Sequence, residues 1–440
     1  MEEKRVVEMR SIWTENISLP QFKQLKGSKK TEVLIIGGGM AGILCAYFLE
    51  KAGVDYALVE GARICSGITE NTTAKITSQH GLIYRKLLKS LGTERTQMYL
   101  DSNQDAVRKY ARLCRRIDCD YEVKHSYVYS RNDRKKLEDE ADALSRIGYL
   151  PRLVDRCELP FQTVGAVGFA EQAQFHPLKF VSRIAKGLRI YENTFVRELK
   201  KDSAVTDYGE IVFRKLIFAT HFPIDNKHGM YPLKMYQHRS YVIALKDAPQ
   251  IKGMYIDESK HGMSFRNFRD YLLLGGGSHR TGEKGGNWEE IRNCARLYYP
   301  NLDEKYYWAA QDCMTLDGIP YIGRYSRSMP GCYVATGFNK WGMTSSMAAA
   351  SILTDLILEK ENPYAQVFNP SRNMIKPQLF ANGYTAVKNL LTISEKRCPH
   401  LGCALKWNKT EHSWDCPCHG SRFDGFGKLL DNPANGNLKK

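Results

Sequence analysis

Residues 31–42 read Thr31-Glu32-Val33-Leu34-Ile35-Ile36-Gly37-Gly38-Gly39-Met40-Ala41-Gly42. A short apolar run rich in β-branched residues passes directly into a glycine turn and then into a helical pattern that continues to Leu49. Strand, turn and helix in this order open a doubly wound α/β unit. Gly37 permits the tight turn, Gly39 lets the backbone approach a pyrophosphate, and Gly42 lets the helix pack closely on the strand. Met40 and Ala41 begin a helix whose N-terminus faces the negative charge. Gly53 then ends the helix, Val54 to Val59 reads as a second strand, and Glu60 closes it. A carboxylate at that place accepts hydrogen bonds from the adenosine ribose hydroxyls. A lone glycine fingerprint is weak evidence, but here strand, fingerprint, helix, second strand and terminal acid are in register.

Working outward, the choice between a nicotinamide and a flavin dinucleotide rests on later segments. A flavoprotein of this build needs the chain to return and supply groups to the isoalloxazine ring, whereas a nicotinamide domain is usually one contiguous block. Leu216 to Thr220 is an apolar strand ending in Ala219-Thr220. Gly331 to Thr336 is another, and it leads through Gly337-Phe338-Asn339-Lys340-Trp341-Gly342-Met343-Thr344 into an Ala-rich helix. A glycine-bearing loop at a helix N-terminus can stabilise negative charge on a reduced flavin.

On these residues, together with Thr315 to Gly323, the chain from 31 to about 370 resembles the glycine oxidase and D-amino-acid oxidase family of FAD-dependent oxidoreductases. The resemblance implies FAD, a substrate C–H bond oxidised over the flavin, and hydride passing to N5. It also implies that the stretch after the ribose acid wraps the pyrophosphate and flavin, which makes Thr72, Thr73, Ala74 and Lys75 expected flavin contacts, an ordinary surface loop being the alternative. Cys313-Met314 lies too close to Asp317-Gly318 to match the cysteine that tethers flavin in some relatives, so a noncovalent FAD is expected. Family members often hold a substrate carboxylate with an arginine from the substrate sheet, and Arg266 takes that expectation, with a solvated strand arginine as the alternative. Lys75, His80, Lys340 and Trp341 are the further candidates for the catalytic face of the flavin.

The C-terminal end reads Cys398-Pro399-His400-Leu401-Gly402-Cys403 and Cys416-Pro417-Cys418-His419-Gly420-Ser421. Each box offers a thiolate and an imidazole at loop spacing, as needed when two cysteines hold one iron and two histidines the other. Tetrahedral zinc also accepts two Cys and two His, but requires neither the extra cysteine pair nor the Gly-Ser continuation. The strings closely resemble the two boxes of Rieske proteins. That resemblance implies Cys398, His400, Cys416 and His419 as ligands of a 2Fe-2S cluster, a disulfide between Cys403 and Cys418, and a sulfur-directed hydrogen bond from Ser421. Rieske proteins of cytochrome bc complexes usually place a tyrosine where Phe423 stands here, so one donor is missing.

These readings give an α/β chain with a discontinuous Rossmann-like FAD-binding domain in 28–90, 165–222 and 311–370. A mixed-sheet substrate domain is expected in 91–164 and 223–310. A linker and a small β-rich Rieske domain follow in 371–440, with 371–391 as the candidate linker. The two cofactor modules are expected to behave independently.

Composition is that of an ordinary globular protein, with 43% hydrophobic and 25% charged residues. The net charge of +16 is compatible with an acidic partner or an anionic membrane surface, but the basic residues are scattered along the chain, which is the simpler reading and gives no specific nucleic-acid role. Met1 to Trp13 has no apolar h-region, and the uncharged run Val33 to Leu49 is better explained by its glycines than as a membrane span. A cytoplasmic location and no transmembrane segment are expected. The expected partners are a small-molecule substrate, an amine or amino acid, and an external electron donor or acceptor. A Rieske oxygenase would need a mononuclear iron site after the cluster. The remaining alternative is an electron-transfer or redox-sensing protein without amine turnover.

Overall fold

The computed structural model describes residues 9–225, 227–259 and 262–439. Residues 1–8 of the N-terminal stretch weighed above lie outside them. Strand Lys29–Ile36 sits at the centre of an eight-stranded sheet. It is flanked in parallel by Tyr56–Val59 and Ile190–Tyr191 on one side and by Gly209–Phe218 and Met329–Thr336 on the other. Tyr321–Ser326 closes that edge in the antiparallel sense. The run Val33 to Ile36 is buried throughout, as a strand covered on both faces requires. Helices Met40–Lys51 and Gly342–Ile357 pack against one another in the main hydrophobic core. The two glycine-bearing loops thereby come to the same end of the sheet.

A nine-stranded mixed sheet forms the second layer. Its order is Glu304–Thr315, Met235–Lys246, Tyr271–Arg280, Ser264–Phe268, Gly253–Asp257, Glu122–Ser130, Gly165–Gln174 and Lys75–Ile76, with Arg152–Val154 alongside Gly165–Gln174. Lys75–Ile76, Gly165–Gln174 and Glu304–Thr315 belong to this sheet, whereas 75–76, 165–174 and 311–315 were expected in the flavin-binding segments. Strand pairing between residues as distant as Lys75 and Gln174 leaves no trace in local periodicity.

The C-terminal region holds a four-stranded antiparallel meander, Lys406–Asn408, Ser413–Asp415, Arg422–Asp424 and Leu429–Asp431. The stretch expected as linker contains the helix Pro377–Leu391, with proline in its first turn. Among the described residues no helix is long and apolar enough to cross a membrane.

Candidate functional site

A cavity of about 1280 Å³ opens between the two sheets, above the roughly 300–1,000 Å³ of ordinary small-ligand pockets. Gly37 has φ +109°, and a Cβ there would lie 2.5 Å from the Ala219 carbonyl oxygen; one on Gly42 would lie 1.9 Å from that of Gly37. These two glycines are fixed by close backbone approach. Gly39 differs: the nearest atom to a Cβ is Thr69 Oγ1 at 3.5 Å, so its open side is turned to the cavity. The carboxylate of Glu60 accepts from the Gly38 and Ala62 amides at 2.7 and 2.9 Å and lines the same wall.

At the other end, Gly337, Asn339 and Lys340 all have positive φ. Asn339 pins this loop: its side chain accepts from the Thr315 amide at 2.8 Å and donates to the Gly337 carbonyl at 2.6 Å. The N-terminus of helix Gly342–Ile357 has no side-chain cap, and its first residues, Gly342 and Met343, line the cavity. The amide dipoles there favour negative charge.

Of the expected contacts, Gly37, Gly39, Met40, Ala41, Glu60, Thr72, Thr73, Lys75, Ala219, Thr220, Gly337, Lys340, Trp341, Gly342 and Met343 line the cavity. Gly42, Ala74, His80, Arg266 and Thr344 stand behind its wall. Arg266 is fully buried and donates through Nη1 to the Thr73 and Ala74 carbonyls at 2.7 and 2.8 Å. It therefore holds the loop beneath the cavity instead of reaching into it for a carboxylate. His80 bonds Tyr99 at 2.7 Å and the Thr77 carbonyl at 2.9 Å, and its ring stacks on Trp341 at 4.9 Å. Burial holds its pKa at about 3, and the ring stands behind Trp341 instead of on the cavity wall.

Lys75 lines the cavity. Burial, aided by the neighbouring Arg266 cation, brings its pKa down to about 7. Lys340 donates to Ser278 at 2.9 Å, with burial lowering its pKa against the pull of Asp312. Burial raises Asp312 in turn.

Sequence reasoning missed the sheet-borne wall. Tyr236, His238 and Ser240 line the cavity from strand Met235–Lys246, and Ser278, Arg280 and Asp312 from its neighbours. No alternation in the sequence marked them, because the intervening Gln237 and Arg239 are polar as well and bond the C-terminal module. It also missed His221, which lines the cavity at φ +65° with a buried Nε2 that bonds nothing among the described residues. Backbone strain at such a site is a mark of function. An open pyrophosphate cradle, an oriented ribose acid, an uncapped helix N-terminus and an unpartnered His221 nitrogen fit a bound FAD.

The two C-terminal boxes fold as matched loops, closed by Gly402 N–H to Cys398 carbonyl and Gly420 N–H to Cys416 carbonyl, each at 2.9 Å. The sulfurs of Cys403, Cys416 and Cys418 lie within 4.8 Å of one another, but Cys403 and Cys418 are joined as a disulfide, leaving Cys416 beside Cys398. The thiols of Cys398 and Cys416 touch, and the Ser421 side chain bonds Cys398. The rings of His400 and His419 stand 4.8 Å apart, and burial holds their pKa values at about 4 and 3. Neutral imidazoles beside paired thiols suit a cluster with His and Cys on separate irons. The His419 Nδ1 atom is buried and makes no hydrogen bond among the described residues.

The modules are joined more closely than expected. Gln237 donates to the His419 and Asn432 carbonyls at 2.9 and 3.1 Å, and Gln311 to that of Gly420 at 2.8 Å. Arg280 donates to the Pro417 and Cys418 carbonyls, and Asn432 to those of Thr220 and Phe222 at 2.6 and 2.9 Å. Buried Glu411 accepts from Arg239, Arg422 and Tyr241. Strand Met235–Lys246 thus shows alternate residues to the cavity and to the cluster module. Phe222, next to His221, sets its ring edge-on to both cluster histidines, at 6.2 and 6.4 Å.

Comparison with known proteins agrees with both halves. Residues 32–356 match the family model of the FAD dependent oxidoreductases, and residues 379–440 that of the Rieske [2Fe-2S] domain. YhfW of Bacillus subtilis strain 168, named for a Rieske 2Fe-2S iron-sulfur protein, is 34% identical over 98% of this chain and 97% of its own length. L-proline dehydrogenase of P. horikoshii shares the fold at a TM-score of 0.66, with 18% identity, over 78% of this chain and 98% of that one. Glycine oxidase of Geobacillus kaustophilus does so at 0.65, also with 18% identity, over 78% and 99%.

Proposed function

The chain belongs to the FAD-dependent oxidoreductase family and carries a C-terminal Rieske domain, and on that premise we propose that it oxidises an amine or amino acid and passes the electrons singly through the Rieske centre. FAD supplies a two-electron acceptor for the substrate hydride at N5, and the 2Fe-2S cluster supplies one-electron exchange. The rest is the work of the protein's own residues. Lys75, with a pKa near 7, takes the proton of a substrate ammonium so that the neutral amine faces the flavin. Lys340 and Ser278, bonded to each other, and Asp312 on edge strand Glu304–Thr315 of the same sheet orient polar groups of the substrate. Trp341, backed by His80, keeps water from the reacting carbon. Arg266 is a positioning residue for the Thr73-Ala74 backbone.

The observation that carries this reading is Thr220–His221–Phe222, which lines the cavity with its first two residues and meets both cluster histidines with its third. The test is anaerobic mixing of the full-length holoprotein with a panel of amines and amino acids. Bleaching of the flavin followed by the paramagnetic signal of a reduced cluster is expected for at least one compound. A panel that bleaches nothing, on protein that dithionite reduces at both centres, favours a redox sensor or electron carrier without amine turnover.

A further inference from the structure

Helix Pro377–Leu391 carries its polarity the wrong way round for a buried helix. Its buried side chains are Asn382 and Asn389, whereas Phe380, Tyr384, Val387 and Leu391 are 68%, 71%, 56% and 78% exposed. Steps of four, three and four residues put these four in one stripe roughly 60° wide. The polar side is anchored inward: Asn382 Oδ1 accepts from Arg280 at 3.0 Å, Asn389 donates to Thr385, and the Asn389 carbonyl accepts from Ala404. Ile375 and Ile393, 72% and 97% exposed, flank the helix beyond its two ends. Scattered exposed apolar residues are normal, but a continuous stripe marks a contact surface.

Charge says what covers it. Between Glu361 and Glu395 the sequence has no acidic residue, while Arg372, Lys376 and Lys388 fall inside and Lys396 and Arg397 follow, in a chain of net charge +16. Lys388, Lys396 and Arg397 are exposed and Lys376 half-buried. An apolar stripe flanked by cations is the pattern of a helix lying in the interfacial plane of an anionic bilayer. A parallel two-fold pairing of the same face would instead set the lysines of one copy against those of the other. We propose that this helix docks the protein on a membrane surface containing anionic lipid, the stripe entering the acyl boundary and Lys376 and Lys388 meeting the headgroups. Leu401 of the first cluster loop is exposed, and Leu390 lies 4.0 Å from the Cβ position of Gly402, so docking brings one edge of the cluster to the membrane. The inference does not depend on the substrate.

The test is flotation of the full-length holoprotein with phosphatidylcholine vesicles, with and without phosphatidylglycerol. Wild type should float only with the anionic vesicles and be released by raised salt. Each lysine near such a surface is worth about fivefold in partition, so the Lys376→Gln, Lys388→Gln pair should bind roughly 25-fold more weakly. The Phe380→Ser, Leu391→Ser pair should abolish flotation while keeping the visible spectra of both cofactors. Absence of flotation with anionic vesicles overturns the proposal, as does a stripe variant that floats like wild type. A wild-type dimer in light scattering that this variant makes monomeric, without vesicle binding, assigns the face to a second copy instead.

Discussion

The flavin chamber and the cluster site are built on opposite principles. The chamber draws its wall from Gly37, Glu60, Lys75, Thr220, Asp312 and Gly342, residues spread over two thirds of the chain and brought together only when two large sheets stack. The cluster site draws its four expected ligands from two loops between Cys398 and His419, each closed by its own backbone bond. A local site can be read in a short string, whereas a dispersed one is visible only where it touches a motif. The seam between them, with Glu411, Gln237, Arg280 and Asn432, belongs to neither pattern, yet it fixes how the two modules sit against each other.

The largest test of that comparison removes a cluster ligand. Cys416→Ser should abolish the Rieske paramagnetic signal outright. Because the carbonyls of Pro417, Cys418, His419 and Gly420 hold Arg280, Gln237 and Gln311, flavin occupancy after dialysis should also fall several-fold. Full flavin retention would mean that the seam couples nothing and that the modules are independent after all.

Next in size is the seam itself. Glu411→Ala leaves the guanidiniums of Arg239 and Arg422 buried without their shared anion, and loss of one partner of a buried pair costs about 3–5 kcal/mol. Urea denaturation should show this. Burial pushes the Glu411 carboxyl up, but the two arginines outweigh it and hold it at about 2. A carboxyl depressed by folding contributes stability above its unfolded pKa near 4.5 and loses that contribution as pH falls through about 2. Wild type should therefore destabilise across this window, and Glu411→Gln should flatten that part of the profile.

A smaller effect probes the chamber alone. With Lys75 at about 7, kcat/KM for the substrate should rise with pH through that value as the amine becomes free to accept a proton. Lys75→Met should lower kcat/KM by about 10²-fold and remove this limb, leaving the cluster signal untouched. A pH profile identical to wild type would take the base role from Lys75.

The finest test concerns the cluster loops. Phe423 is fully buried among Cys398, Cys416 and Leu405, and Phe423→Tyr offers a hydroxyl toward a ligand sulfur. One net hydrogen bond contributes about 0.5–1.5 kcal/mol, and ~59 mV corresponds to about 1.4 kcal/mol for one electron. The midpoint should rise on the order of 20 to 65 mV in a redox titration followed by circular dichroism. An unchanged or lowered midpoint would show that the ring does not face the sulfur.

What failed to reach the page from the sequence has specific physical reasons. Arg266 sits on a strand where a carboxylate-binding arginine is plausible, and only the folded position of Thr73 and Ala74, more than 190 residues away, turns its guanidinium elsewhere. His80 has the right chemistry for a base, but its bonds to Tyr99 and Thr77 and its stacking on Trp341 use it for support. The stretch 371–391 was expected as a linker although Phe380, Tyr384, Val387 and Leu391 recur at helical spacing, and only the fold shows that this apolar side faces outward on a helix.

By itself the sequence determined the nucleotide-binding turn and the cluster loops. Both depend on local constraints, a positive φ or close approach at a glycine and ligands separated by two or three residues, which a short string must encode in order. Only the tertiary structure decided which face of strand Met235–Lys246 meets the flavin chamber and which meets the cluster, and that His221 and Phe222 stand between them. Those outcomes depend on the stacking of sheets and the pairing of distant strands. Their energy comes from burial and hydrogen bonding across 170 to 210 residues, separations at which residue spacing carries no signal.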